Sequence, residues 1–340
     1  MALNQFLTAD IAVDMGTGYS RIYVKGKGIV VNEPSILAVR SDNHKVVAIG
    51  EGAEEIAGRS SAAVHLEYPI RNGKIVDLEL AQIMLQYFVN KALGMLHLKP
   101  RLITAKPIGT TKLEETMLMK TIESVGGRNQ IFIDQIIAAG LGAGLPVYEP
   151  QGSFIIDMGA GKTQIALVSM GGMVVSYSDS LGGERIDREI AESIKRKHDI
   201  VITKKVAEQI KMDLIDIKPI EKDDRFIIVR GRDIATGMPT TADVSMGTIC
   251  EAICSVVTEL TEMIKRVLTR VPPELCIDIA KNGIYLCGGT SQLPKLDVII
   301  KEDLGIPVHI AKEAGESVVL GLGYVADHYD VYSGNSGKKN

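Results

Sequence analysis

The chain has little aromatic character. It contains no tryptophan and 5 phenylalanines, and aromatic residues make up 4% of the sequence. Proteins that bind single-stranded nucleic acid rely on base stacking against aromatic rings. The formal net charge of −4 also provides no excess positive charge for a phosphate backbone. We therefore expect no nucleic-acid partner.

Cysteine is equally scarce, with residues Cys250, Cys254, Cys276 and Cys287. The first two have helical i,i+4 spacing, but no neighbouring histidine completes a zinc-binding set. Reduced structural thiols are typical of a cytosolic protein. No apolar run reaches the roughly 20 residues that a membrane-spanning helix needs, and the first residues lack the pattern of a signal peptide. We therefore expect a cytoplasmic protein.

The sequence contains an internal repeat. Residues 14–24 read DMGTGYSRIYV and residues 157–167 read DMGAGKTQIAL. Each copy follows an apolar run and precedes a second β-rich run, so each predicts a hairpin with a glycine turn at its tip. Because 340 residues exceed what one hydrophobic core usually serves, the repeat predicts a duplicated α/β fold with two lobes and a cleft between them.

The two glycine turns suit phosphate chemistry. Glycine lets the backbone approach an anion closely and present its N–H groups, and the hydroxyls of Thr17, Ser20 and Thr163 add possible donors. Asp14 and Asp157 suit a magnesium ion held through water. A single Asp-x-Gly-x-Gly turn would often be an ordinary hairpin turn, whereas two copies in matched contexts favour a phosphate site.

A third glycine motif follows in GIYLCGGT, residues 283–290. It predicts a buried strand that ends at Gly288 and Gly289, and then a helix that opens with Ser291. Such a glycine pair is often only a turn, but its place after the two hairpins favours an adenosine seat. Apolar spacing of three and four residues predicts helices at 80–93, 112–125, 183–197, 204–215 and 249–270.

These three motifs, in this order and spacing, resemble those of the actin, Hsp70 and sugar-kinase superfamily. The resemblance narrows to the MreB family of bacterial actin homologues and covers nearly the whole chain. The segments that carry it are YVKGKGIVVNEPS (23–35), YPIRNGKIVD (68–77), AAGLGAGLPVYEP (138–150, resembling the connecting helix), SLGGERIDREI (180–190), AEQIKMDL (207–214) and PPELCIDIAKNGIYLCGG (272–289).

The resemblance implies a duplicated actin-like (ribonuclease H-like) ATPase fold with a nucleotide cleft. Lobe I would span 1–146 with a small subdomain at about 35–69, and lobe II 147–329 with a small subdomain at about 183–248. Residues 330–340 have the composition of a disordered tail.

The resemblance also implies ATP or ADP with Mg²⁺ as cofactors. The implied binding residues are Asp14, Gly16, Thr17, Gly18, Tyr19 and Arg21 in the first phosphate turn; Asp157, Gly159, Ala160, Gly161 and Thr163 in the second; Gly182, Gly183 and Glu184 near the ribose; Glu208 and Lys211 near the nucleoside; and Gly288, Gly289 and Thr290 in the adenosine turn. The alternative for Glu208 and Lys211 is a solvated helix face with an i,i+3 ion pair.

One departure from the family pattern lies in the first turn, where relatives usually carry Asn-Thr and this chain has Tyr19-Ser20-Arg21. Actin has a phosphate-contacting lysine at the position of Arg21, and MreB proteins have an apolar residue there. The guanidinium would either bind phosphate through charge-assisted hydrogen bonds or point to solvent along the alternating strand.

A second departure concerns hydrolysis. MreB proteins position the attacking water with a glutamate and a threonine, and the alignment places Gln135 and Lys162 there. Gln135 retains the ability to orient a water, as the glutamine of actin does, and the adjacent Asp134 would serve if the helix began one residue differently. Lys162 would bring a cation near the γ-phosphate. Because positioning governs the rate of phosphoryl transfer, we predict ATP binding with weak hydrolysis.

The family also binds membranes and forms filaments. Met95, Leu96 and Leu98, flanked by basic residues, suit shallow insertion into an anionic surface; the alternative is that they pack into the core. Head-to-tail contacts build protofilaments that pair antiparallel, and the small subdomains are candidate contact regions. The expected partners are other copies of the chain, other MreB paralogues and the inner membrane surface.

Three other functions compete with this one. A sugar or acetate kinase would need a catalytic base and an additional substrate segment, and an Hsp70-like chaperone would need a peptide-binding domain; we expect neither. The remaining alternative is a nucleotide-binding structural paralogue that copolymerises with a more active MreB or regulates it. The substitutions at Gln135 and Lys162 keep that alternative open.

Overall fold

The computed structural model describes residues 9–57, 63–94, 100–214 and 225–333. The chain forms two compact units, each with its own apolar core. One unit comprises residues 1–151, 168–172 and 315–340, and the other comprises residues 152–167 and 173–314. Within the described ranges, no helix has both the length and the apolar character needed to cross a membrane.

A five-stranded sheet forms the centre of the first unit. Its strands, in hydrogen-bonded order, are β10 (Arg128–Asp134), β9 (Arg101–Lys106), β1 (Asp10–Met15), β2 (Tyr19–Val24) and β3 (Gly28–Pro34). β1 runs parallel to β9 and antiparallel to β2. The side chains of Ile11, Ala12 and Val13 are buried, as expected for a central strand covered on both faces.

Smaller elements complete the strand content of the first unit. β4 (Leu37–Arg40), β5 (Val46–Ile49) and β6 (Val64–Glu67) form a three-stranded sheet beside α1 (Glu51–Ala57). β7 (Ile70–Arg71) and β8 (Lys74–Ile75) form a short hairpin. Its turn residues Asn72 and Gly73 both have positive φ, at 51° and 71°, which is why the sequence Asn-Gly occurs there.

Besides α1, the helices described in the first unit are α2 (Leu78–Leu93), α3 (Lys112–Glu123), α4 (Gln135–Gly142), α10 (Ser317–Asp327) and α11 (Tyr329–Ser333). α3 begins with a capping box between Thr111 and Glu114. α4 and α10 pack with their backbones in close contact at Gly142 and Gly321. This contact fixes the position of α4, whose first residue is Gln135.

The second unit repeats the sheet order of the first. Its strands are β13 (Gly172–Asp179), β12 (Thr163–Ser169), β11 (Ser153–Met158), β17 (Ile284–Cys287) and β18 (Val308–Ile310). The order β13-β12-β11-β17-β18 matches β3-β2-β1-β9-β10. In the first sheet a glycine turn joins β1 to β2, and in the second sheet a glycine turn joins β11 to β12. The duplication predicted from the repeat is therefore present in the fold.

Further elements of the second unit are the sheet of β14 (Ile200–Val201), β15 (Phe226–Asp233) and β16 (Pro239–Ser245), and the helices α5 (Gly183–His198), α6 (Lys204–Met212), α7 (Met246–Leu268), α8 (Pro273–Asn282) and α9 (Leu296–Leu304). α7 is capped by the Ser245 hydroxyl, which accepts a hydrogen bond from the backbone N–H of Thr248. Its buried face supplies much of the core of this unit.

Two segments differ from the sequence-based expectations. The helix at AAGLGAGLPVYEP ends at Gly142, because Gly144 has a φ of 75° and Pro146 cannot continue a helix. The segment predicted as a tail from residue 330 begins inside α11. That helix is held by Tyr329, whose ring lies 3.9 Å from the Arg101 guanidinium carbon. Residues 334–340 lie outside the described residues.

Candidate functional site

The first glycine turn lies between β1 and β2 of the first unit. The backbone N–H of Gly16 donates a hydrogen bond to the carbonyl oxygen of Tyr19 at 3.0 Å. A Cβ atom on Gly16 would lie 2.7 Å from that oxygen, so only glycine fits there. Asp14, at the end of β1, is buried. Thr17 is also buried, and its hydroxyl oxygen accepts a hydrogen bond from the N–H of Gly73 at 2.8 Å.

Arg21 lies beside this turn. It is the cross-strand neighbour of Asp14, and its Nη1 lies 3.9 Å from Asp14 Oδ2. Its side chain is 16% exposed, its guanidinium lies 5.4 Å from the ring centroid of Tyr19, and its Nε atom is buried without a hydrogen-bond partner. The side chain is therefore turned toward the carboxylate of the glycine turn and away from solvent.

The second glycine turn, in the second unit, repeats this geometry. The N–H of Gly159 donates to the carbonyl oxygen of Lys162 at 2.9 Å, which matches the bond between Gly16 and Tyr19. Asp157 is 3% exposed, and its Oδ2 lies 3.5 Å from the amide nitrogen of Gln164. The hydroxyl of Thr163 donates a hydrogen bond to the carbonyl of Leu181. Thr163 therefore supports the turn from within.

The N-terminus of α5 packs against the second turn. The backbone N–H groups of Gly183 and Glu184 donate to the carbonyl oxygens of Gly159 and Ala160, at 3.1 and 2.7 Å. Gly182 precedes the helix, and a Cβ atom on it would lie 2.5 Å from the carbonyl oxygen of Ala160. Glycine at position 182 is therefore required by the close approach of two backbones.

Gly183 is the point at which the motifs of the second unit meet. A Cβ atom on it would lie 2.8 Å from Thr290 Oγ1, 3.2 Å from Lys211 Nζ and 3.7 Å from the Cα of Ala160. The Thr290 hydroxyl donates to the carbonyl oxygen of Gly159 at 2.9 Å. Three segments that are far apart in sequence therefore surround one small residue.

The Gly288-Gly289 pair follows β17 directly. Gly288 has a φ of 84°, and a Cβ atom on it would lie 2.3 Å from the Met158 carbonyl oxygen and 2.7 Å from Asp157 Oδ1. Its N–H donates to the carbonyl of Ala314 at 2.7 Å. Gly289 is exposed, and nothing lies within 4 Å of where its Cβ would be. The helix predicted from Ser291 is a 3-10 turn over Gly289–Gln292, followed by α9.

Lys211 is buried, whereas Glu208 on the same helix is exposed. Lys211 Nζ lies 2.7 Å from Asp187 Oδ1 on α5 and donates to the carbonyl of Gly183 at 3.3 Å. Burial raises the pKa of Asp187 above its ordinary value, and the Lys211 cation opposes that rise. The solvated-face interpretation therefore fits Glu208 but not Lys211, which joins α6 to the start of α5.

Gln135 and Asp134 lie where β10 meets α4. Asp134 is the last residue of β10 and the N-cap of α4, but its side chain makes no capping hydrogen bond. Gln135 is the first residue of the helix. The helix therefore begins at Gln135, the residue that aligns with the glutamate of the family. Met95, Leu96 and Leu98 lie outside the described residues.

Each of the two glycine turns has beside it a carboxylate that is chemically suited to a magnesium ion. Within the described part of the chain, no group of three or more His, Cys, Asp or Glu side chains forms a metal cluster. The buried carboxylates of Asp14 and Asp157 are hard oxygen donors. Mg²⁺ usually keeps several waters and binds one or two carboxylates together with phosphate oxygens.

Two residues near the glycine motifs were not identified from the sequence. Asp187 pairs with Lys211; a carboxylate between the buried residues Ile186 and Ile190 of an amphipathic helix was a signal for such a role. Ser35 binds the first glycine turn. It lies within the family-like segment at 23–35, but one serine after a strand carries no local signal of a distant contact.

The chain is similar to proteins of the MreB/Mbl family. A sequence model described as MreB/Mbl protein matches residues 8–333. Cell shape-determining protein Mbl of Bacillus subtilis (strain 168) is 36% identical over 322 residues, covering 94% of this chain and 96% of Mbl. Cell shape-determining protein MreB of Escherichia coli (strain K12) is 34% identical over 332 residues, covering 96% of this chain and 95% of that protein.

Solved structures show the same relationship. MreB 5 of Spiroplasma citri bound to AMPPNP has a TM-score of 0.90 and 30% identity, covering 97% of this chain and 99% of that chain. A MamK double helical filament has a TM-score of 0.77 at 19% identity, covering 94% and 99%, and shows likeness of fold only. The duplicated actin-like fold predicted from the sequence is confirmed, and the chain belongs to the MreB/Mbl family.

Proposed function

We propose that the protein is an MreB-type cytoskeletal protein that binds ATP with Mg²⁺ and polymerises into membrane-associated filaments. These filaments would govern cell shape, or motility in a wall-less cell. The observation that carries the proposal is the pair of glycine turns with the same internal hydrogen bond, from Gly16 to Tyr19 and from Gly159 to Lys162. Turns of this kind offer backbone N–H groups to phosphates.

The relatives support this proposal. Mbl and MreB are described as cell shape-determining proteins, and MreB 5 of Spiroplasma citri has been solved with AMPPNP and with ADP. The MamK structure is a double helical filament. Self-association into antiparallel paired protofilaments in the cytoplasm, at the inner face of the membrane, is the arrangement that we propose for this chain.

We assign the nucleotide contacts from the family resemblance. The two glycine turns hold the phosphates, Gly182–Glu184 approach the ribose, and Gly288–Thr290 seat the adenosine beside Glu208 and Lys211. Asp14 and Asp157 would hold Mg²⁺ through water, and the bound metal would neutralise charge on the phosphates. Because backbone groups at close approach make most of these contacts, we expect ATP binding to persist when Gln135 or Lys162 is replaced.

A pelleting assay combined with electron microscopy tests the proposed function. Purified protein is incubated with ATP, ADP or a non-hydrolysable ATP analogue, with and without anionic lipid vesicles, while phosphate release is followed. We expect filaments with ATP and the analogue, slow phosphate release, and recruitment to vesicles. Failure to form filaments alone, with filaments appearing when an active relative is added, would support the copolymerising paralogue.

Replacement of Arg21 by leucine is expected to weaken ATP affinity about tenfold, because a hydrogen bond to a charged group contributes roughly 1.5–3 kcal/mol. AMP has fewer phosphate groups near the turn, and its affinity is expected to change less. Isothermal titration calorimetry measures both affinities, with Arg21→Lys as the control that retains the cation. Equal ATP affinity in the original chain and both variants would show that Arg21 pairs with Asp14 but does not contribute to ATP binding.

A further inference from the structure

Ser35 makes three hydrogen bonds around the first glycine turn. It follows β3 directly and is 1% exposed. Its hydroxyl donates to the carbonyl oxygen of Gly16 at 2.7 Å, and its backbone N–H donates to the carbonyl oxygen of Gly18 at 2.9 Å. Its hydroxyl also lies 2.9 Å from the hydroxyl of Ser20. One residue therefore holds two carbonyl groups of the turn.

These bonds decide where the N–H groups of the turn point. In a planar trans peptide, the C=O of one residue and the N–H of the next point in opposite directions. With the carbonyls of Gly16 and Gly18 directed at Ser35, the N–H groups of Thr17 and Tyr19 point away from it. Ser35 thus turns acceptor groups inward and donor groups toward the outer side of the turn, as an anion requires.

The second turn has the same arrangement with a different residue. The Thr290 hydroxyl donates to the carbonyl oxygen of Gly159 at 2.9 Å, and Gly159 is the repeat counterpart of Gly16. The N–H of Ala160 therefore points away from Thr290. Ser35 follows β3, whereas Thr290 comes after β17. The counterpart of β17 in the first unit is β9, so the two hydroxyls do not occupy equivalent positions of the duplication. The feature they share is the turn they bind.

The segment that precedes Ser35 is itself held in place. Glu33 is 3% exposed and forms an ion pair with Lys91 of α2, and it also accepts a hydrogen bond from the N–H of Glu51 at 3.3 Å. Pro34 has a fixed φ and no N–H. Ser35 is therefore attached to a segment with little freedom to move.

We infer that Ser35 is a positioning residue that aims the first phosphate turn, and that Thr290 does the same for the second. The inference rests on the proposed ATP-binding function. Ser35 contacts the turn and acts through the backbone N–H groups that bind phosphate. Its loss would therefore affect phosphate affinity without affecting the adenosine seat, which the second unit forms.

Ser35→Ala tests this inference, with Ser124→Ala as the matched control. Each variant removes one hydroxyl that donates to a backbone carbonyl at 2.7 Å, that of Gly16 for Ser35 and that of Thr121 for Ser124, but only the first carbonyl belongs to the glycine turn. We expect Ser35→Ala to weaken ATP affinity about tenfold and Ser124→Ala to leave it within about twofold, on the scale of one lost hydrogen bond. Adenosine affinity stays within about twofold of the original in both variants. Calorimetry measures the affinities, and thermal unfolding measures the fold.

The outcomes separate the inference from the proposed function. Absence of ATP binding by the unsubstituted chain would overturn both. ATP binding with unchanged affinity in Ser35→Ala would overturn only the inference, as would an equal loss in Ser124→Ala. A parallel loss of adenosine and ATP affinity would indicate a general structural role and would also overturn it. Recovery of ATP affinity in Ser35→Thr, which keeps the hydroxyl, is the supporting result.

Discussion

Replacement of Gly321 by alanine is expected to lower the free energy of unfolding by about 3 kcal/mol, the upper range for overpacking a buried contact. A Cβ atom on Gly321 would lie 1.8 Å from the Ala138 carbonyl oxygen and 2.9 Å from the backbone nitrogen of Gly142. Both atoms belong to the backbone of α4, so no side-chain rotation relieves the clash. The two helices must move apart.

The measurement is urea unfolding followed by circular dichroism, because the chain has no tryptophan to report on fluorescence. The two units can unfold separately, so hydrogen exchange of α4 and α10 assigns the loss to the first unit. Gly52→Ala is the matched control. Gly52 lies in α1, and the nearest atom to an added Cβ is the Ala48 Cβ at 3.7 Å.

Alanine at position 52 is expected to stabilise the protein by up to about 1 kcal/mol through helix propensity. Equal stabilities of the two variants would contradict the backbone contact between α4 and α10. Loss of exchange protection in α4 would show that the helix that begins at Gln135 is disturbed.

The repeat explains why so much of the fold was predictable from the sequence. Two Asp-Met-Gly turns, each between β-rich runs, define the first three strands of both sheets. The helix predicted at 183–197 is observed as Gly183–His198, because its apolar spacing is regular. Interactions between elements were less accessible. The ion pair of Lys211 and Asp187 depends on how α6 packs on α5, and spacing within either helix does not specify it.

The candidate site shows the same division. Glycines that permit close backbone approach were identifiable from the motifs, because their chemistry is local. Ser35 was not, because its role depends on a contact with Gly16, nineteen residues away. The sequence left open whether Arg21 contacts phosphate or points to solvent, because strand alternation alone does not say which face of β2 is covered. The register that pairs it with Asp14 supplies that information.

Restoring the glutamate and the threonine of the family at positions 135 and 162 is expected to accelerate hydrolysis. In the double variant Gln135→Glu/Lys162→Thr, we expect phosphate release to rise at least about tenfold, equivalent to roughly 1.4 kcal/mol of the barrier. A glutamate orients the attacking water more strongly than an amide, and a threonine removes a cation from the turn that ends at Lys162. Phosphoryl transfer is sensitive to both positioning and charge.

Phosphate release by the original chain and each variant is measured beside a relative that carries glutamate and threonine at these positions. Lys162→Met is the control, because it removes the cation without adding a hydroxyl. ATP affinity is measured separately and is expected to fall severalfold in both position-162 variants, since a charge-assisted contact is lost. A turnover rate of the original chain equal to that of the relative would refute the prediction of weak hydrolysis. An unchanged rate in the double variant would show that Gln135 and Lys162 do not limit the reaction, and the barrier would then lie in other residues of the two turns.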